Sequence, residues 1–184
     1  MQAQARGEMT SYRQTAGVSC WSAGCDQVLL KKDARGPTEL SIGPEIADPC
    51  RWHPATLWLG VGCERNTSLS LVERAIAEAL AIAGVAEEAV AGMASAERKS
   101  DEPALLHLSQ NRTWPFRTFA EQALASIEVP NPSEVVRKEM GTASVAEAAA
   151  LVAAGEQGHL IQPKRISRSG TQEQGAVTVA IAEA

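Results

Sequence analysis

From residue 57 onwards, the apolar residues alternate between the spacing of a strand and the spacing of a helix. Residues 57–61 form an almost continuous apolar run, which predicts a buried strand. After Ser70 the apolar residues recur on one helical face, with charged residues between them, and Gly84 follows as a helix-ending residue. The predicted buried face consists of Leu71, Val72, Ala75, Ile76, Ala79 and Leu80.

The rest of the chain continues this alternation. Further strands are predicted at residues 89–96, 114–118, 159–166 and 176–181, and helices at residues 103–110, 119–127, 133–138 and 144–155. A polar segment joins the last two strands, which favours an antiparallel hairpin. Strands that alternate with helices predict an α/β fold, here a three-layer α/β/α domain around a mixed sheet.

Residues 1–55 do not follow this pattern. Residues 1–17 are polar and predict a loosely held start, and short strand-like pieces follow at 18–21, 27–31 and 39–42. Prolines at positions 44, 49 and 54 then indicate a linker. We therefore expect residues 1–55 to be a small irregular or β extension with a linker, and residues 56–184 to be the α/β domain.

Composition narrows the classes of function. The chain has 184 residues and a formal charge of −5, which argues against nonspecific nucleic-acid binding. Residues 1–15 lack the apolar core of a signal peptide, and no apolar run reaches the length of a membrane span. We expect a soluble, cytoplasmic protein without a membrane or nucleic-acid partner, whose four cysteines are reduced.

The segment after the first strand combines glycines, a cation and hydroxyl groups. Its glycines predict a sharp turn at which a ligand approaches the backbone closely, beside the unpaired N–H groups of a helix start. The simpler interpretation is a tight strand-to-helix connection, and Arg65 stands where a dinucleotide motif has its third glycine. The functional hypothesis is a pocket for carboxylate or phosphate groups, built from Gly60, Gly62, Cys63, Arg65, Thr67 and Ser68.

The cysteines suggest two further chemistries, neither of which the sequence favours. Cys63 precedes a helix, where a thiol can become a nucleophile, but a cysteine at a strand end is more often a small packing residue. Two spaced pairs offer zinc-ligand types, but loose sequence separates them. They are Cys20 with Cys25, and Cys50 with His53. We predict no metal site and no cofactor.

Two more clusters lie where a helix begins. Lys99 is predicted to face the same sheet edge as the glycine turn, whereas Asp101 and Glu102 could either bind a ligand or only cap a helix. Farther along, a glycine and hydroxyl residues precede the alanine-rich helix, and serine with glutamate three residues later also fits a capping box. The second cluster consists of Gly141, Thr142, Ser144 and Glu147.

Taken together, these motifs are more specific than any one of them alone. They are G-x-G-C-x-x-x-T-S at 60–68, K-x-D-E at 99–102, N-P-S at 131–133, G-T-x-S-V-A-E-A-A-A at 141–150 and T-V-A at 178–180. In this order they resemble the family of CobE and the C-terminal domain of CbiG, from cobalamin biosynthesis. The resemblance covers about two thirds of the chain, from residue 57 to the end.

The resemblance implies an α/β domain that acts in corrin-ring assembly. Full-length CbiG is the cobalt-precorrin-5A hydrolase, which opens a ring lactone and releases acetaldehyde, whereas CobE serves the aerobic branch. The chain has no room for the complete N-terminal part of CbiG, so residues 1–55 would be at most the tail of that preceding region. The implied partners are a precorrin or cobalt-precorrin ligand and, as a protein, the CbiG N-terminal half or a precorrin methyltransferase.

Two functions remain open at this point. Precorrins are flat rings fringed with acetate and propionate groups, so Arg65, Lys99 and Lys164 are candidates for binding them. The first hypothesis is a domain that binds or presents this polycarboxylate ring. The alternative is hydrolysis of the lactone, with Glu102 or Glu147 as the general base. Residues 1–55 could also dock a partner.

Overall fold

The computed structural model describes residues 10–17, 30–32, 38–46, 51–130, 144–170 and 174–184. The strands are β1 (Thr10–Gln14), β2 (Leu30–Lys32), β3 (Thr38–Ile42), β4 (Arg51–Trp52), β5 (Leu57–Cys63), β6 (Val90–Ala96), β7 (Phe116–Phe119), β8 (His159–Arg168) and β9 (Ala176–Glu183). The helices are α1 (Leu69–Ala83), α2 (Pro103–Arg112), α3 (Glu121–Ala125) and α4 (Val145–Ala154), with short 3₁₀ helices at Glu87–Ala89 and Glu97–Lys99. The helix predicted at residues 133–138 lies outside the described residues.

The main sheet is mixed and has β5 at its centre. Its strand order is β7-β6-β5-β9-β8, with β5, β6 and β7 parallel and β9 antiparallel to both β5 and β8. Helices α1 and α2 pack on one face, and α3 and α4 pack on the other. The prediction of an α/β fold with a mixed sheet and a closing hairpin is confirmed.

Alternating residues of β5 face the two helical layers. Leu57, Leu59 and Val61 belong to the core beneath α1 and α2, whereas Trp58 packs with the alanines of α4. Gly60 also faces α4, and a Cβ at this position would overlap the carbonyl oxygen of Ala146. The glycine is therefore required because α4 approaches the strand so closely.

This arrangement corrects the predicted glycine turn. Gly60 and Gly62 both lie inside β5, and neither has a positive φ angle. The chain reverses after the strand, where Asn66 has φ 58°. Asparagine tolerates this left-handed conformation better than most residues, so the turn needs no glycine.

Helix α1 is amphipathic, as its sequence predicts. Its buried residues are Leu71, Val72, Ala75, Ile76, Ala79 and Leu80, and Gly84 ends the helix with φ 68°. The six predicted core positions and the helix end are thus confirmed. Within the described ranges, no helix is both long enough and apolar enough to cross a membrane.

The first part of the chain contains a second small sheet. Its strand order is β2-β1-β3-β4, and all the paired strands are parallel. The prediction of a loose start over residues 1–17 is therefore wrong where β1 forms. Strand β4 lies within the predicted linker. The strand predicted at residues 18–21 is outside the described residues. Two backbone hydrogen bonds of 2.8 Å connect this part to the end of α1, from Ile46 N–H to Gly84 O and from Ala86 N–H to Pro44 O.

Candidate ligand-binding cavity

A cavity of about 580 Å³ opens at the carboxyl ends of β5 and β6. Because these two strands are parallel and adjacent, the residues that follow them meet at one edge of the sheet. The first turn of α4 and the hairpin β8–β9 complete the walls. The described lining residues are Gly62, Cys63, Glu64, Arg65, Ala96, Arg98, Lys99, Ser144, Val145, Ala146, Lys164, Ile166, Ala176 and Thr178.

The lining combines cations with apolar surface. Its cationic residues are Arg65, Arg98, Lys99 and Lys164, and Glu64 is the lining carboxylate among the described residues. Small and branched aliphatic side chains from α4 and the hairpin supply the apolar part, including Ile166, which is 56% exposed. A ligand with an apolar face and an anionic rim matches this surface.

The structure brings six of the predicted ligand-binding residues to the cavity and places the others elsewhere. Those at the cavity are Gly62, Cys63, Arg65, Lys99, Ser144 and Lys164. Those outside the described lining are Gly60, Thr67, Ser68, Asp101 and Glu102. Gly141 and Thr142 lie outside the described residues. For all of these residues, contact with a ligand stays a prediction.

Arg65 lies at the mouth of the cavity in a defined orientation. Its Nη1 donates to Asp101 Oδ1 at 2.6 Å and lies 3.7 Å from Glu102 Oε2, while its Nη2 donates to the Arg98 carbonyl at 2.5 Å. The hydrogen bond with Arg65 lowers the pKa of Asp101 and raises the pKa of Arg65. Asp101 therefore orients Arg65 from outside the cavity.

Lys99 is buried beside the same group of charges. Its side chain is 8% exposed, and its Nζ lies 3.5 Å from Glu102 Oε2. The other oxygen of Glu102 accepts the backbone N–H of Asn66 at 2.8 Å. Of the two carboxylates that could cap a helix, Glu102 occupies the N-cap position of α2, but no side-chain capping bond forms there.

Thr67 and Ser68 make contacts within the protein at the turn after β5. Thr67 is buried, and its Oγ1 donates to the Glu64 carbonyl at 2.8 Å. Ser68 occupies the N-cap position of α1, and its backbone N–H donates to Gln174 O at 3.1 Å. The Thr67 hydroxyl therefore has a partner within the turn, whereas the Ser68 hydroxyl only accepts from Ser70 Oγ at 3.4 Å.

Cys63 packs against the core while it lines the cavity. Burial is the main cause that raises the pKa of its thiol to about 11, and the positive charge of Lys99 opposes this effect. The group is therefore a protonated thiol near neutral pH, which supports its interpretation as a packing residue.

At the start of α4, the predicted capping box does not form. Ser144 is the N-cap residue but makes no side-chain capping bond. Glu147 is fully buried, and its Oε1 accepts the backbone N–H of Lys164 at 3.1 Å. Glu147 thus ties α4 to β8, next to a cation of the cavity.

Several lining residues were not among the predicted ligand-binding residues, notably Ile166, Thr178 and Arg98. Arg98 directly precedes Lys99 at the end of a predicted strand, which was a usable signal. Ile166 and Thr178 are brought to the cavity by the register of the hairpin, which pairs them with each other.

His53, which the sequence offered only as a disfavoured zinc-ligand type, is engaged in another contact. His53 Nδ1 lies 2.7 Å from the carbonyl oxygen of Gly43, so it donates to that carbonyl. Cys20, Cys25 and Cys50 are outside the described residues. In the described part of the chain, no group of three or more His, Cys, Asp or Glu side chains could hold a metal ion.

Comparison with known proteins gives consistent matches. The chain is 40% identical over 119 residues to Protein CobE of a Sinorhizobium species, covering 64% of this chain and 77% of that protein. It is 34% identical over 104 residues to the cobalt-precorrin-5A hydrolase of Priestia megaterium, which covers 56% of this chain but only 28% of the hydrolase. A crystal structure of CobE from the cobalamin biosynthetic pathway matches with a TM-score of 0.61 and 29% identity, covering 70% of this chain and 93% of that one.

The family model described as cobalamin synthesis G C-terminus matches residues 57–182, which contain the five strands of the main sheet except for the last residue of β9. Because this match covers more than half of its residues, the chain belongs to the cobalamin synthesis G C-terminus family and has a role in cobalamin biosynthesis.

Proposed function

We propose that the chain binds a polycarboxylate precorrin or cobalt-precorrin at the cavity and presents it to another protein of the pathway. The observation that carries this proposal is that four cationic residues and a wall of aliphatic side chains line the same cavity of about 580 Å³. The ring of a precorrin has a broad apolar face, and its rim carries carboxylates. Arginine and lysine bind such carboxylates through charge-assisted hydrogen bonds.

The arrangement of the cations suits a ligand with several carboxylates. Arg65 belongs to the turn after β5, Arg98 and Lys99 follow β6, and Lys164 lies in β8. The cations therefore surround the opening from different elements. A single small anion would contact one or two of them, whereas a ring with several acidic side chains could reach all of them.

Titration with cobyrinic acid tests the proposal. We expect saturable binding that weakens about tenfold in Lys99→Ala, because a buried charge-assisted contact contributes roughly 1.5–3 kcal/mol. Arg112→Ala is the matched control, because Arg112 pairs with Glu87 and is not among the residues that line the cavity. Cobinamide, which carries amides in place of the carboxylates, should bind more weakly. Equal binding of the two corrinoids, or no binding at millimolar cobyrinic acid, would contradict the proposal.

The hydrolase relatives support a second candidate, which is opening of the lactone of cobalt-precorrin-5A. The chain corresponds to only 28% of the length of the Priestia megaterium hydrolase, so that protein's activity need not lie in this chain alone. The assay is acetaldehyde release from cobalt-precorrin-5A, by the chain alone and with the N-terminal part of such a hydrolase. Release by the chain alone would favour catalysis over presentation.

Presentation requires a protein partner, and we place its docking on residues 1–55. We interpret them as an extension related to the region that precedes this domain in the hydrolases, and the parallel strand order β2-β1-β3-β4 is consistent with a piece of a larger α/β unit. The partner would be a hydrolase N-terminal part or a precorrin methyltransferase. Pull-down of each candidate with the full chain and with residues 56–184 distinguishes these partners.

A further inference from the structure

Glu102 does not lie where a general base would have to lie. Its side chain is 1% exposed, and it is not among the described residues that line the cavity. Lys99 and Arg65, which do line the cavity, lie beside its carboxylate. A base must come within hydrogen-bond reach of the proton it removes, directly or through one water. Glu102 instead lies behind two cations.

One oxygen of the Glu102 carboxylate lies close to both cations. Glu102 Oε2 lies 3.5 Å from Lys99 Nζ and 3.7 Å from Arg65 Nη1. Glu102 Oε1 accepts the N–H of Asn66, the residue with the left-handed conformation at the turn. The carboxylate therefore links the turn after β5 to the segment after β6, and it holds a cation from each.

The backbone of Glu102 is itself fixed. Its carbonyl oxygen accepts the N–H groups of Leu105 and Leu106, both at 3.1 Å, in the first turn of α2. Leu105 is fully buried in the core. The position of the carboxylate thus follows from the packing of α2 on the sheet.

We propose that Glu102 is a positioning residue that holds Lys99 and Arg65 as a two-cation clamp for one carboxylate of the ligand. The clamp has one buried member, Lys99, and one that is half exposed, Arg65. The buried cation gives a fixed contact, and the exposed one closes over the same carboxylate from the mouth of the cavity. The ligand assignment rests on the proposed function, whereas the positioning itself can be tested without a ligand.

The ligand-free test uses Glu102→Gln, with Asp101→Asn as the matched control. Glutamine keeps an oxygen for the Asn66 N–H but removes the negative charge. Without that charge, the Lys99 side chain loses the ion pair that holds it beside Glu102, so its amine becomes more accessible to acylating reagents. We expect labelling of Lys99 by an N-hydroxysuccinimide ester at pH 7.5 to be at least fivefold faster in Glu102→Gln and unchanged in Asp101→Asn. An unchanged rate in Glu102→Gln would overturn the proposal.

The second test is a double-mutant cycle with cobyrinic acid. If Glu102 acts largely through Lys99, Glu102→Gln should weaken binding about tenfold in the wild-type background and less than threefold in a Lys99→Met background. An equal loss in both backgrounds would indicate a merely structural role and overturn the proposal. If Glu102→Gln fails to fold, the double variant Glu102→Gln/Lys99→Met replaces it, because it removes both charges of the pair. The double variant should bind no more than threefold more weakly than Lys99→Met. A larger loss overturns the proposal.

The two tests separate the failure of this inference from the failure of the proposed function. If the wild-type protein does not bind cobyrinic acid, the proposed ligand is wrong, and the labelling of Lys99 still decides whether Glu102 positions it. If the wild-type protein binds but the labelling rate does not change, the proposed function stands and the role of Glu102 is wrong.

Discussion

Gly60 of β5 packs directly against the backbone of Ala146 in α4. A Cβ added at Gly60 would overlap the Ala146 carbonyl oxygen and lie 2.7 Å from the Ala150 nitrogen. Neither is a flexible side-chain atom, so Gly60→Ala must displace the helix. We expect a loss of about 1–3 kcal/mol in the free energy of unfolding, measured by urea denaturation.

Gly62 is the matched control for this substitution, because it lies two residues along the same face of β5. A Cβ there would meet the Cβ of Thr178 at 3.8 Å, an ordinary contact distance. Gly62→Ala should therefore change the free energy of unfolding by less than about 0.5 kcal/mol. Equal effects of the two substitutions would mean that close packing of α4 is not what requires Gly60.

A larger side chain at Gly62 separates binding from stability. Gly62 lines the cavity, so Gly62→Leu places an aliphatic side chain in the space that we assign to the ligand. We expect cobyrinic acid to bind at least tenfold more weakly, as measured by calorimetry, while the unfolding midpoint stays close to that of Gly62→Ala. Unchanged affinity would place the ligand elsewhere on the molecule.

The two glycines also show what the sequence can and cannot predict. The buried face of α1 was predictable because its residues repeat at the helical period. Gly60 was misinterpreted as a turn residue, because a strand glycine that admits a close helix looks the same in a sequence as a glycine in a turn. Only the tertiary contact with α4 distinguishes the two cases.

The candidate site was predictable to a similar extent. Arg65 and Lys99 follow adjacent parallel strands. Ligand sites in α/β sheets generally lie at the carboxyl ends of such strands, so both residues could be predicted to lie at one site. Ile166 was missed because its place depends on the register of β8 against β9. Glu102 was considered as a base because sequence shows its residue type but not its burial.

Cys63 should be a slow nucleophile at neutral pH. Burial raises the pKa of its thiol to about 11, so the reactive thiolate is scarce at pH 7. In a variant with Cys20, Cys25 and Cys50 replaced by serine, we expect the rate of alkylation by iodoacetamide to rise through pH 9 without a plateau below pH 10. A plateau near pH 8.5 would indicate an ordinary, solvent-exposed thiol.

Glu183 at the end of β9 gives a pH dependence of stability. Burial raises its pKa above 4.5, and nearby His159 opposes the shift. The folded state therefore binds the proton more tightly than the unfolded state, so this residue's contribution to stability falls as the pH rises from 4.5 through the raised pKa.

Glu183→Gln removes this contribution. Relative to the wild type, the variant should gain stability between pH 4 and pH 7 in urea denaturation. The gain should be small, because solvent screens a group that is only partly buried. A relative loss over the same interval would show that the contact of Glu183 with His159 outweighs burial.

Residues 56–184 should fold without the preceding segment. The two 2.8 Å backbone hydrogen bonds that join Ile46 to Gly84 and Pro44 to Ala86 would be lost, at a cost of roughly 1–3 kcal/mol in total. The core beneath α1 and α2 consists of residues from Leu57 onwards, so it stays complete. We expect the shortened chain to keep a single cooperative urea transition, with a lower midpoint than the full chain. A broad, non-cooperative transition would mean that the small parallel sheet is part of one folding unit with the main domain, and residues 1–55 could not then be a separable docking arm.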